Sequence, residues 1–123
     1  MDGKHLPGRH PIEKFGNGGF SFGGMSHRGS LLILPSGMRA LSASAIEGVT
    51  NTLLQELADE KELIDFLLIG TGVAMKRLPK SLVDWFSTQA IHHDTMSTSA
   101  AVSTYNVLLA EERRVAAILI AME

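Results

Sequence analysis

Two kinds of apolar pattern alternate along this chain, and together they predict its secondary structure. Continuous apolar runs are typical of strands in a sheet that is buried on both faces. Apolar positions at helical spacing are typical of helices that bury one side. The runs predict strands at residues 30–34, 64–69 and 114–121, with shorter strands at 20–22, 38–41 and 90–94; the helical stripes predict helices from 52 to about 61, from Pro79 onward, and from 98 to about 112.

The order of these elements is strands first and then β-α-β-α-β-α-β. Alternating strands and helices of this kind favour an α/β fold with helices on both faces of the sheet. We therefore predict a single three-layer α/β domain with a mixed, mostly buried β-sheet flanked by about three helices. Residues 1–19 are polar and rich in glycine and proline, so they are expected to form a flexible N-terminal arm, with the domain at 20–123.

Composition narrows the function classes. The chain has 123 residues, a net charge of −2 and no cysteine. The charge argues against a nucleic-acid partner, and the lack of cysteine excludes disulfides and thiolate chemistry. The longest apolar run, 115–122, is far shorter than the roughly 20 residues of a membrane span. No signal-peptide pattern is visible at the N-terminus, so the expected location is cytoplasmic.

The segment Gly70-Thr71-Gly72 follows a predicted strand and is the first candidate for chemistry. Glycines at a strand end let backbone amides approach an anion. A phosphate-binding P-loop would need a hydroxyl residue where Arg77 follows Lys76, and a dinucleotide fingerprint would need glycine in place of Met75. A structural turn is therefore favoured, and an anion-facing loop is the alternative.

Histidines 92 and 93 with Asp94 form the second candidate. Consecutive side chains on a strand point to opposite faces, so the two histidines cannot easily share one metal ion. No zinc-ligand spacing and no Gly-x-Ser-x-Gly motif is present. The prediction is that there are no catalytic residues, no metal and no cofactor.

The third candidate lies on the long C-terminal helix. Ser97 or Thr98 is expected to cap it. Tyr105 needs a partner for its hydroxyl on a core-facing position, and Asn106 is a poor residue for the middle of a helix. Each either faces a pocket or ties the helix to a neighbouring strand. The charged segment from Glu111 through Arg113 and Arg114 is expected to form a surface corner at the end of the helix.

Residues 96–121, MSTSAAVSTYNVLLAEERRVAAILIA, resemble the domain-of-unknown-function family four-nine-eight, which has the MTH-nine-three-eight-like fold. The segments Leu67–Gly72 and Gly29–Leu32 extend the resemblance over most of residues 20–121. Val102 and Ser103 stand where many members have Cys and Arg, and Met38 lies near a position that is often Trp. These departures favour a role of shape and contact over one fixed catalytic group.

The resemblance implies a mixed-sheet domain without an established enzymatic activity, in a family that includes mitochondrial respiratory complex I assembly factor 3. It implies a non-enzymatic interaction or assembly factor whose protein partner is unknown, such as a membrane complex under assembly. The alternatives are a small-molecule or anion-binding domain at the glycine turn, and an unrecognised enzyme. The oligomeric state stays open. The candidate ligand- or partner-binding residues are Gly70, Thr71, Gly72, Thr98, Tyr105, Asn106, Glu111, Arg113 and Arg114.

Overall fold

A computed structural model describes residues 5–122 of the protein, and side chains from residue 8 onward. These residues form strands and helices in the predicted order, with a sheet between helices, so the α/β prediction is confirmed. The strands are β1 (His5–Pro7), β2 (Lys14–Gly16), β3 (Gly19–Phe22), β4 (Met25–Arg28), β5 (Ser30–Leu34), β6 (Gly37–Leu41), β7 (Phe66–Gly70), β8 (His93–Met96) and β9 (Val115–Leu119), and the helices are α1 (Asn51–Glu60), α2 (Lys80–Gln89) and α3 (Thr98–Ala110).

The main sheet is mixed, as predicted. Its strand order is β1-β6-β5-β9-β7-β8. Strand β7 lies parallel to both β9 and β8, whereas β1, β6, β5 and β9 pair in an antiparallel way. A separate three-stranded sheet, β2-β3-β4, was not predicted. The predicted edge strand at residues 20–22 is its central strand, because β2 and β4 are short and polar and give no apolar signal.

The main sheet divides the core into two layers, because successive side chains of a strand point to opposite faces. On β5, Leu32 and Leu34 face the layer of α1 and α2. Leu31 and Ile33 face the layer that contains α3. Phe20 and Phe22 of the small sheet complete that second layer. The three-layer arrangement explains why β5, β7 and β9 read as continuous apolar runs.

Two local predictions need correction. The sequence Thr52-Leu53-Leu54-Gln55 predicts a capping box that starts α1 at Thr52. The cap is instead Thr50, whose hydroxyl accepts the Leu53 N–H. Gln55, expected to complete a capping box, instead donates to Asp59 one turn later. The predicted strand at 90–94 begins later, at His93, because Ala90 adopts a left-handed conformation (φ 58°) that ends α2.

The predicted arm contacts both sheets over its described part. Strand β1 pairs with β6 at one edge of the main sheet, and β2 pairs with β3. Ile12 lies between them and is only 4% exposed. Residues 5–19 therefore contribute strands to both sheets, and the division into a flexible arm at 1–19 and a domain at 20–123 stays a prediction. Residues 1–4 lie outside the described residues.

None of the helices between residues 5 and 122 is long and apolar enough to cross a membrane.

Candidate functional site

The glycine turn lies at the carboxyl end of β7, where parallel strands of α/β sheets commonly present ligand sites. Its amides, however, are engaged within the protein. The Thr71 N–H donates to the Met96 carbonyl at 2.9 Å. The Gly72 N–H donates to Thr98 Oγ1 at 2.9 Å. Since both donors have a protein acceptor, the turn presents neither of these amides to an anion.

Thr98 joins three elements at this point. Its side chain is completely buried. Its hydroxyl donates to the Ile120 carbonyl at 2.7 Å, and its own N–H donates to the Gly72 carbonyl at 2.8 Å. The Ile120 N–H in turn donates to the Gly70 carbonyl at 2.9 Å. The end of β7, the residue after β9 and the first turn of α3 are therefore held together by one threonine.

The two glycines are required by different features of this packing. A Cβ on Gly70 would lie 2.8 Å from Thr98 Cα and 3.1 Å from Ala101 Cβ, so only glycine lets α3 approach β7 this closely. Gly72 has φ +109°, a conformation that L-residues with side chains rarely adopt. Both requirements are structural. The cap of α3 is Ser97, whose hydroxyl accepts the Ala100 N–H at 3.3 Å.

The buried hydroxyl of Thr71 shapes the loop that follows. It donates to the Ala74 carbonyl at 2.8 Å and accepts the Lys76 N–H at 2.9 Å. The loop at residues 73–77 is thereby held in a defined shape while its side chains are exposed. The sequence interpretation gave this loop no role of its own, although valine and methionine next to two cations in a short connection were a visible signal.

Tyr105 and Asn106 contact the N-terminal segment. The Tyr105 hydroxyl donates to the His10 carbonyl at 2.9 Å. Asn106 Oδ1 accepts the Ile12 N–H at 2.8 Å, and its Nδ2 donates to the Ile12 carbonyl at 2.9 Å. Burial raises the pKa of the Tyr105 phenol, although the nearby Arg9 acts in the opposite direction. Of the two interpretations left open, these contacts favour the tie to a neighbouring segment.

The charged junction after α3 is exposed. Arg114 pairs with Asp65 at 2.8 Å, and this hydrogen bond holds the pKa of the Asp65 carboxyl below its usual value. The Arg113 carbonyl accepts a hydrogen bond from the Arg9 side chain at 3.2 Å. Glu111 is exposed at the end of the helix. These contacts join the charged junction to Asp65 and to Arg9.

The structure does not bring the predicted site residues together. Val115, which follows the charged junction, pairs with Phe66 at the start of β7. The glycine turn begins at the other end of β7, with Gly70. Phe66 and Gly70 are four steps apart along β7, a distance of roughly 13 Å. Tyr105 and Asn106 lie between the two ends and contact residues 10–12. The nine residues thus belong to three separate contacts.

The histidine pair does not form a metal site either. His93 packs against Phe86, with ring centroids 4.7 Å apart, and Asp94 accepts the N–H of the next residue. His92 is exposed and immediately precedes β8. Within the described residues, no group of three or more His, Asp or Glu side chains could hold a metal ion.

Two surface hollows lie elsewhere on the domain. One of about 470 Å³ lies beside the small sheet and involves Lys14, Phe15 and Arg28. The other, about 340 Å³, lies between β6 and α1, where Arg39 pairs with Glu56. None of the nine predicted residues lines either hollow.

The chain was compared with known proteins. It is similar to an uncharacterized protein of Rhodobacter capsulatus, with 38% identity over 116 residues, 94% of this chain and 87% of that protein. It is also similar to NADH dehydrogenase [ubiquinone] 1 alpha subcomplex assembly factor 3 of Xenopus tropicalis, with 24% identity over 109 residues, 89% of this chain. The match spans only 60% of the assembly factor's length.

Solved structures show the same fold. A crystal structure of an outer membrane protein from Bartonella henselae matches with a TM-score of 0.90 and 49% identity, over 97% of this chain and 100% of that chain. A Mth938-like domain from Bordetella pertussis matches with a TM-score of 0.75 and 22% identity, over 91% of this chain and 85% of that chain.

A family model described as a protein of unknown function (DUF498/DUF598) matches residues 12–120. This match covers the charged junction, the glycine turn and the long helix on which the resemblance rested, so the predicted family is confirmed. The protein therefore belongs to the DUF498/DUF598 family.

Proposed function

We propose that this protein is a non-enzymatic interaction protein that assists the assembly of a larger protein complex. The observation that carries the proposal is the similarity to a complex I assembly factor, which extends over 89% of this chain. The match extends over 109 residues, so the part that the relative shares with this chain has the length of a whole domain of this fold. The finer proposal is that the partner is a membrane complex under assembly.

The geometry supports a role of contact over one of chemistry. Thr71, Thr98, Tyr105 and Asn106 form hydrogen bonds with backbone groups of this same chain. Polar side chains that hold a fold together in this way are not available as an acid, a base or a nucleophile. What the domain offers to other molecules is therefore its surface.

The alternative, an anion site at the glycine turn, is favoured by no specific contact. The Thr71 and Gly72 amides donate to protein oxygens, and a bound phosphate would have to replace these acceptors. An anion at saturating concentration, ~100 times its dissociation constant, would stabilise the protein by about 2.7 kcal/mol. A thermal-shift titration with inorganic phosphate is expected to show no such stabilisation.

The test of the main proposal is affinity capture of the tagged full chain from its own cells, after mild chemical cross-linking. One protein, or the subunits of one complex, should be recovered repeatedly and in near-stoichiometric amount. An unrelated domain of similar size with the same tag is the control. Repeated recovery of nothing beyond what the control captures would contradict the proposal. Fractionation of the same cells tests the proposed cytoplasmic location.

A further inference from the structure

The connection between the glycine turn and α2 presents apolar and basic side chains together. We define the 73–77 loop as Val73, Ala74, Met75, Lys76 and Arg77. All five residues are exposed. Val73 is 68% exposed and Met75 is 60% exposed, the largest fractions among the exposed large apolar residues of the described chain. Such side chains are usually scattered singly on a surface, whereas here two lie in one five-residue segment.

Both ends of the 73–77 loop are anchored. At its start, the buried Thr71 hydroxyl bonds to the Ala74 carbonyl and to the Lys76 N–H. At its end, Leu78 is buried in the core beneath α1 and α2, and Pro79 caps α2. A loop held at both ends loses little conformational entropy when a partner binds, and this pre-organisation favours affinity. The apolar side chains are therefore exposed on a fixed support.

No ion pair among the described residues neutralises the charge of the 73–77 loop. Lys76 and Arg77 take part in no ion pair with the described residues, whereas the next cation, Lys80, pairs with Asp84 at 3.0 Å. Complementary charge directs association and selects among partners. Two cations beside two exposed apolar side chains fit a partner that offers carboxylates and apolar groups in one short stretch.

We propose that the 73–77 loop is the docking surface for an acidic, partly apolar segment of a partner protein. Apolar side chains of that segment pack on Val73 and Met75, and its carboxylates pair with Lys76 and Arg77. This inference rests on the proposed interaction function and names the surface that performs it. It also gives the glycine turn a role, because Thr71 holds the loop in shape.

A protein segment fits this surface better than a lipid bilayer. The chain carries a net charge of −2, so an anionic membrane would repel the molecule as a whole. Stable membrane anchoring also takes a large amphipathic face or two independent signals. A five-residue loop supplies neither, whereas a short peptide can contact all of it.

The first experiment measures binding directly, with a synthetic peptide of alternating Glu and Leu as the probe and a Lys–Leu peptide as its control. Titration of the isotope-labelled full chain is followed by amide chemical shifts in NMR spectra. The Glu–Leu peptide should shift the amides of the 73–77 loop, and the Lys–Leu peptide should not. Shifts centred elsewhere, or none, would overturn the proposal whatever the result of the affinity capture.

Two pairs of matched variants sharpen this titration. The double variant Lys76→Glu/Arg77→Glu should weaken peptide binding by roughly tenfold or more. The double variant Lys14→Glu/Arg28→Glu makes the same charge change at exposed residues of the small sheet and should leave binding within about twofold. Val73→Ser should weaken binding, and Val107→Ser, on the exposed side of α3, should not. Equal effects within either pair would contradict the proposal.

The second experiment connects the surface to the partner. Affinity capture is repeated with Lys76→Glu/Arg77→Glu and with Lys14→Glu/Arg28→Glu. If the captured partner is lost with the first variant but not with the second, the result supports the docking surface. Retention with both variants leaves the interaction function intact and places its surface elsewhere. A different result would identify a membrane, and not a protein segment, as the ligand of the loop. The protein would then sediment with phosphatidylglycerol vesicles in a way that depends on Lys76 and Arg77, and it would not respond to the peptide.

Discussion

Two contacts made by α3 differ in how they are built. The corner, formed by Gly70, Thr71, Gly72 and Thr98, joins the first turn of the helix to the ends of β7 and β9. The N-terminal anchor, formed by Tyr105 and Asn106, joins the middle of the same helix to the backbone of residues 10–12. The side-chain hydrogen bonds of Thr98 in the corner join residues 22 and 26 positions apart in sequence, whereas the anchor fastens a segment about 95 residues away.

The difference shows that polar residues on one helix can stabilise the whole domain at one point and a single attached segment at another. Breaking the corner leaves buried groups without partners inside the sheet, so we expect it to lower the free energy of unfolding of the whole domain. Breaking the anchor lets water reach the released backbone groups of residues 10–12. We therefore expect its loss to open that segment locally before the domain unfolds.

The largest effect is expected for Thr98→Val, which keeps the shape of the side chain and removes the hydroxyl. The Gly72 N–H and the Ile120 carbonyl would lose this buried partner, so the free energy of unfolding should fall by about 3 kcal/mol. Urea denaturation measures it. Thr88→Val, at an exposed position of α2, should change stability by less than about 0.5 kcal/mol. Similar losses in both variants would mean that the corner is not a special contact.

Gly70→Ala should have the next largest effect. Its new Cβ would meet Thr98 Cα at 2.8 Å, which forces α3 away from β7. Overpacking of this kind should lower the free energy of unfolding by about 2 kcal/mol. In Gly48→Ala, the nearest atom, Ala43 Cβ, lies at 3.4 Å, so the same denaturation experiment should show little change. An unchanged stability of Gly70→Ala would disprove the close approach of α3.

Asn106→Ala tests the anchor by removing both hydrogen bonds to Ile12. The free energy of unfolding should fall by about 1.5 kcal/mol. Hydrogen exchange followed by mass spectrometry should show faster exchange at residues 8–16 than in β7 and β9. Asn51→Ala, at the exposed start of α1, should leave exchange in that segment unchanged. If exchange in Asn106→Ala is faster throughout the chain, the anchor opens only when the whole domain unfolds, as the corner does.

The smallest effect concerns the pH dependence of the anchor. Burial raises the pKa of Tyr105 in the folded protein above its unfolded value of about 10. Above that pH the unfolded chain releases the phenol proton while the folded chain keeps it, so the free energy of unfolding falls as pH rises. Tyr105→Phe should remove this part of the alkaline loss, measured by urea denaturation across the alkaline range.

The wild-type titration gives an independent measurement, because Tyr105 is the only tyrosine in the chain. Absorbance of the tyrosinate should appear at higher pH in the folded protein than in urea. Coincident titration curves would show that the phenol is exposed to water and that the Tyr105 contact with His10 is not maintained in solution.

Local patterns predicted much of the fold because they depend on neighbouring residues. Continuous apolar runs identified β5, β7 and β9. The small sheet was missed because β2 and β4 carry few apolar residues. The cap of α1 was misplaced because Thr50 and Thr52 lie on either side of Asn51, the first residue of the helix, and only the folded backbone selects one of them.

The candidate site was predicted as a set of residues, and the structure separates that set. The glycine turn was recognised, and a structural corner was favoured over a phosphate loop. The hydrogen-bond partners of Tyr105 and Asn106 could not be predicted, since no pattern near residue 106 indicates that its amide bonds to residue 12. The 73–77 loop was visible in the sequence but had no meaning without knowledge of its exposure.

The sequence by itself determined the class of the domain and the order of its elements, because apolar periodicity and turn-forming residues act over short distances. Its family was indicated by the resemblance of its C-terminal motifs. Only the tertiary structure decided the strand order, the second sheet and the partners of α3. Those depend on contacts between residues far apart in the chain, which the packing of the whole core selects. Gly70 illustrates both levels: its place in a turn is local, and the reason that it must be glycine is the helix packed against it.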